Sequence, residues 1–67
     1  MTPHKPKLLD TVRLLDAALD HGLTAGATGV IVEIFDRLPE AYEVEFCDRN
    51  GVTVAQLTLS PEQFELV

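Results

Sequence analysis

The sequence predicts a β-sheet fold organised on a three-stranded antiparallel meander between Gly29 and Leu59. Three observations predict it. The runs G-V-I-V-E-I-F-D, A-Y-E-V-E-F-C-D and V-T-V-A-Q-L-T-L are each rich in apolar, β-prone residues. They are separated by R-L-P-E and R-N-G, both turn signals. The middle run also alternates strictly, with Tyr42, Val44 and Phe46 against Glu43 and Glu45.

Residues 1–7 hold two prolines and no periodic pattern, which predicts a flexible N-terminal arm before a single domain over 8–67. Leu8 to Leu19 fits two templates. As a helix, Leu8, Val12, Leu15 and Leu19 form one stripe and Gly22 stands just past the end. As a strand, Val12 and Leu14 face a core while Thr11 and Arg13 face water. Periodicity alone favours the helix. That reading gives an alternative α+β architecture, with one N-terminal helix (Leu8 to Asp20) on a three- or four-stranded antiparallel sheet.

H-G-L-T-A-G-A-T-G, residues 21–29, is a glycine-bearing loop that opens directly into the first meander strand. In that strand Glu33 marks the wet face. Alternation then turns Val30, Val32 and Ile34 inward and leaves Ile31 and Phe35 outside with Glu33. Asn50-Gly51 predicts a two-residue type I′ turn. Centred there, the hairpin pairs Arg49 with Val52, Phe46 with Ala55, Val44 with Leu57 and Tyr42 with Leu59, so turn and pattern give one register. The preceding connection is a loop over 37–41 around Pro39, which sets Val32 opposite Phe46, Ile34 opposite Val44 and Glu33 opposite Glu45. S-P-E-Q, residues 60–63, carries N-cap, N1 and N3 chemistry for a short 3₁₀ turn, and Phe64 to Val67 alternate as a closing strand.

Size and charge bound the function. A chain of 67 residues is one domain with a modest core. Its single cysteine excludes an intramolecular disulfide, which suits a reducing compartment and predicts a cytoplasmic protein. No apolar run is long enough to span a bilayer, and the N-terminus lacks an export signal, so no membrane partner is expected. The net charge of −6 is one-sided. Over residues 1–28 bases and acids cancel, whereas over residues 29–67 only Arg37 and Arg49 oppose eight acids. An acidic sheet repels phosphate backbones, which counts against nucleic acid and suits a basic protein partner.

The order strand, glycine loop, meander, 3₁₀ turn, closing strand resembles that of SH3-like small barrels. D-T-V-R-L-L followed by L-T-A-G-A-T-G-V-I-V-E-I resembles the opening of KOW-type barrels. More closely, G-L-T-A-G-A-T-G-V-I-V-E-I-F-D, E-A-Y-E-V-E-F and L-T-L-S-P-E-Q-F resemble a family of short bacterial proteins known as domain of unknown function 4926. The resemblance spans Leu8 to Val67 and outweighs the helical reading of the first segment. It implies an all-β fold, a five-stranded SH3-like small barrel that stands alone. Some such proteins are encoded beside toxin-like neighbours, which implies a binding, neutralising or immunity role. It brings no catalytic residues.

The candidate partner-binding residues are Glu33, Glu43, Glu45, Ile31 and Phe35. Like charges directly opposite one another on neighbouring strands are destabilising, and a partner's Arg or Lys would relieve them. Apolar residues ringed by charge mark protein contacts. The plain alternative is a solvated sheet face with Arg37 and Arg49 nearby, and for Ile31 and Phe35 it is cover by the arm or a bent strand. Paired carboxylates could serve acid/base catalysis only within a pocket, which a barrel this small rarely encloses. Tyr42 reads as a core aromatic; with no Trp, a proline-peptide groove is not expected. Cys47, among acids, reads as an inert thiol. His4 and His21 lack the companions of a metal site, and the glycine loop lacks the lysine and helix of a phosphate cradle. No catalytic residue, metal or cofactor is expected. The expected function is a non-enzymatic protein-binding module. The alternatives are a small subunit or assembly factor of a larger enzyme, and a KOW-like nucleic-acid binder. Homo-oligomers through an edge strand are compatible with the pattern.

Overall fold

The computed structural model describes residues 5–67. The fold is all-β. Strands β1 (Thr11–Leu14), β2 (Thr28–Phe35), β3 (Ala41–Cys47), β4 (Thr53–Leu59) and β5 (Phe64–Leu66) form one antiparallel sheet in the order β4-β3-β2-β1-β5. The β2 strand is the shared element: its first residues pair with β1 and its later ones with β3. The sheet bends around the core without β4 and β5 meeting, so the barrel is open on one side. Residues 1–4 of the expected arm, including His4, lie outside the described residues.

The first segment is a strand. Val12 and Leu14 are buried, as the strand template requires, and the N-terminal helix is not formed. The helical stripe fails because Leu15 and Leu19 are exposed. Only Leu19–His21 winds, into a 3₁₀ turn closed by Gly22, which is left-handed and donates its N–H to Leu19 C=O. Before β1, Lys7 and Asp10 close a turn on each other through backbone and carboxylate, and Leu9 within it has a φ of 70°.

The core is Val12, Leu14, Leu23, Ile31, Tyr42, Val44, Phe46, Leu59 and Phe64. Tyr42 and Phe64 meet edge to face, ring centroids 5.5 Å apart. Gly29 lies under β3 where nothing larger fits: a Cβ there would sit 2.7 Å from Val44 Cγ1 and 2.8 Å from the Glu45 carbonyl.

Two bulges correct the expected registers. In β2 the pairing steps from Ile31–Val44 to Glu33–Glu43, which leaves Val32 as an extra residue. Alternation therefore breaks at Val32. Beyond it, Ile34 faces inward and Phe35 outward, as expected. Before it the faces are exchanged: Ile31 is fully buried, while Val30 and Val32 lie on the outer side. Ile34 pairs with Tyr42 rather than Val44, and the connecting loop runs over 36–40.

The β3–β4 hairpin holds Tyr42–Leu59, Val44–Leu57 and Phe46–Ala55 as expected, but its tip differs. The Asn50-Gly51 turn is not a two-residue turn. Gly51 alone is left-handed, its N–H bonding to Asp48 C=O, and Asp48 N–H bonds to Val52 C=O rather than Arg49 facing Val52. The Asp48 carboxylate accepts the N–H groups of Asn50 and Val52, which selects the longer loop. A bulge at Val54, where Phe46–Ala55 steps to Cys47–Thr53, restores the register.

The S-P-E-Q turn forms as expected over Pro61–Gln63. Ser60 N–H donates to Gln63 Oε1 at 2.8 Å, and Gln63 N–H returns to Ser60 C=O. It delivers β5 to β1, where Arg13 bonds Glu65 at 2.8 Å.

Candidate functional site

The outer face of β2, β3 and β4 holds the candidate residues. The strict alternation of β3 sends Glu43 and Glu45 outward while Tyr42, Val44 and Phe46 fill the core. The bulge in β2 places both Val32 and Glu33 against Glu43. Glu33 therefore faces Glu43, not Glu45, and Glu45 faces Val30. Ile31, expected on this face, is removed from it by the same bulge and belongs to the core. Phe35 remains, 43% exposed, near Val32 at 38%.

Glu43 is held from the β4 side. Thr58 donates its hydroxyl to Glu43 Oε1 at 2.5 Å, and Gln56 donates its amide to Oε2 at 2.9 Å. These bonds favour the charged form and hold the Glu43 carboxyl below its ordinary range, Thr58 contributing most. No hydrogen bond or ion pair among the described residues engages Glu33. Arg37 and Arg49, which the plain alternative sets near the face, form no ion pair among the described residues; Arg13 pairs with Glu65 and Lys5 with Glu40. The repulsion between Glu33 and Glu43 is thus not bridged by any cation among the described residues, and Glu43 is held in its charged form.

Beyond Glu45 the face opens into a shallow groove of about 190 Å³ lined by Thr11, Thr28, Gly29, Val30, Glu45 and Cys47. Cys47 is exposed and directs its thiol to Glu45 Oε1 at 3.9 Å. Among the described residues no three His, Cys, Asp or Glu side chains gather as metal ligands, and no charged side chain is buried. His21 is exposed on its turn. Tyr42 is a core aromatic whose hydroxyl donates to Glu40; burial first, then that bond and charge, push its phenol up to about 12.

Sequence reasoning omitted three contributors. Gln56 and Thr58 were legible, because the hairpin register places them opposite Glu45 and Glu43 on the wet face. Val32 was not, because nothing in V-I-V-E-I marks which residue is the extra one.

No helix among the described residues is long and apolar enough to cross a membrane. No curated protein and no solved structure matches the chain. A family model does match, over residues 8–66, taking in all five strands, both bulges and the outer face. With nearly the whole fold inside that match, the chain belongs to the family described as Domain of unknown function (DUF4926).

Proposed function

We propose that this chain is a non-enzymatic protein-binding module of the cytoplasm that presents the outer face of β2 and β3 to a basic protein partner and neutralises or regulates it. The observation that supports this reading is the unrelieved carboxylate pair. Glu33 faces Glu43, and Glu43 is kept ionised by Thr58 and Gln56. An Arg or Lys set between the two gains from both charges and removes their mutual repulsion. Phe35 and Val32 border the pair as exposed apolar surface, which is the composition of a protein contact rather than of a solvated face. The acidic balance disfavours a nucleic-acid ligand.

The test is co-expression with the product of the adjacent gene, followed by co-purification at low and high salt. The wild-type chain is expected to hold its partner and lose it as salt rises. Glu33→Lys together with Glu45→Lys is expected to abolish retention while the far-ultraviolet circular dichroism stays unchanged. Retention unaltered by that double substitution removes the proposed face.

A further inference from the structure

Among the described residues, the β4 strand is the long free edge of the sheet. An edge strand directs alternate N–H and C=O groups away from its neighbour. Val52 accepts the hydrogen bond that closes the hairpin, and alternation from there, with the extra residue at Val54 counted, turns Gln56 and Thr58 toward the open side. Natural edges are normally blunted by charge, proline or brevity. Here no residue from Gly51 through Ser60 is charged or proline, in a chain where 24% of residues are charged. Val52 and Val54 are 59% and 51% exposed. The other free edge is unlike it: β5 has three residues, carries Glu65 and follows Pro61 and Glu62.

We propose that two copies of this chain join through antiparallel pairing of their β4 edges about a two-fold axis at Leu57. The register follows from the strand itself. The bulge bends the edge at Val54 and leaves Ala55–Leu59 regular, and Leu57 is the centre of that segment. Gln56 then faces Thr58 of the second copy in both directions, so the edge-directed groups of each bond the other's. Ala55 faces Leu59, a small residue against a large one, and the two half-buried Leu57 side chains meet across the axis on the core side. All inward residues face inward residues, which keeps one continuous sheet. The tip carrying Arg49 approaches the 3₁₀ turn carrying Glu62 of the second copy, so the charges flanking the uncharged strand are complementary. The carboxylate face stays outside this contact and open to a partner.

Sedimentation equilibrium of the untagged chain, from low micromolar to near-millimolar concentration, tests the pairing. The mass is expected to rise from 7.4 kDa toward twice that value with concentration. Added salt is expected to strengthen the dimer, because each copy carries a net −6 and the copies repel at long range. Salt is expected to weaken partner binding, so the two readings fail separately, and Glu33→Lys with Glu45→Lys is expected to leave the dimer intact. A single 7.4 kDa species at every concentration and salt overturns the proposal. Gln56→Pro deletes an edge-directed N–H at a position where an edge strand accepts proline, and is expected to give a folded monomer. Should that variant unfold, Val54→Lys, which adds a charge to the exposed edge, decides. A dimer that survives in whichever variant keeps its circular dichroism overturns the β4 route.

Discussion

Glu33 and Glu43 stand opposite each other on β2 and β3, and only Glu43 is stabilised from the far side, by Thr58 and Gln56. Removing one charge therefore removes a penalty. Glu33→Gln is expected to raise stability by about 0.2–1 kcal/mol at low salt, toward the lower end because the pair is solvated. The gain should fade as salt is added. Urea denaturation of both proteins at two salt concentrations measures it. A loss of stability in the variant would mean that Glu33 has a stabilising partner.

Glu43 titrates below its ordinary range because Thr58 and Gln56 bond its charged form. With the folded value depressed, its contribution to stability is present above the unfolded carboxylate range and is lost as pH falls through the folded value. Thr58→Val is expected to move the Glu43 titration, followed by carboxyl NMR, back upward and to cost about 0.5–1.5 kcal/mol at neutral pH. An unmoved titration would take the hydroxyl out of that role.

The phenol of Tyr42 is expected to stay protonated well past its ordinary 10.0, losing its proton near pH 12. The sign runs the other way from Glu43. A raised folded value stabilises fully below pH 10.0, and the benefit is lost as pH climbs toward about 12. The chain has a single tyrosine, so ultraviolet difference titration reports this group without ambiguity. Titration at the ordinary value in the folded protein would place the ring in solvent.

Gly29→Ala would set a methyl group 2.7–2.9 Å from Val44 Cγ1, the Glu45 carbonyl and Phe46 Cδ1. The expected cost is about 1–3 kcal/mol, the range for overpacking a filled core. In so short a chain that loss should appear as a large fall in thermal midpoint.

At the hairpin tip, Gly51→Ala is expected to cost about 1–2 kcal/mol because Gly51 holds a φ of 79°. Asp48→Ala should cost about 1–2 kcal/mol, since it frees the N–H groups of Asn50 and Val52. Asn50→Ala should stay within about 0.5 kcal/mol. A two-residue type I′ turn would instead make Asn50 and Gly51 sensitive together, so the three melting curves separate the two geometries.

Most of the fold was legible where a charge or a turn residue fixed a side chain's direction. Glu43 and Glu45 pinned β3, and through it the inward set Tyr42, Val44 and Phe46 and the body of the hairpin. Ser60 and Gln63 announced the turn before β5. The errors lie where the chain carries an extra residue. In V-I-V-E-I-F every neighbour of Val32 is apolar except Glu33, so counting back from Glu33 turned Ile31 outward. Asn-Gly likewise misled because the Asp48 carboxylate, three residues before Gly51, competes for the same N–H groups. For the candidate site, the residue types and the β3 half were readable. The pairing of Glu33 with Glu43 was not, because it depends on the bulge.

The surplus residue at Val32 works as a crossover point in β2. Upstream of it the odd-numbered residues Gly29 and Ile31 are interior, and downstream the even-numbered Ile34 faces inward. Deleting Val32 would leave a strand of one phase throughout, with Ile34 driven into water or Ile31 expelled from the core. The one unpaired residue thus lets a single strand line the core along its whole length while its other side delivers a carboxylate against Glu43.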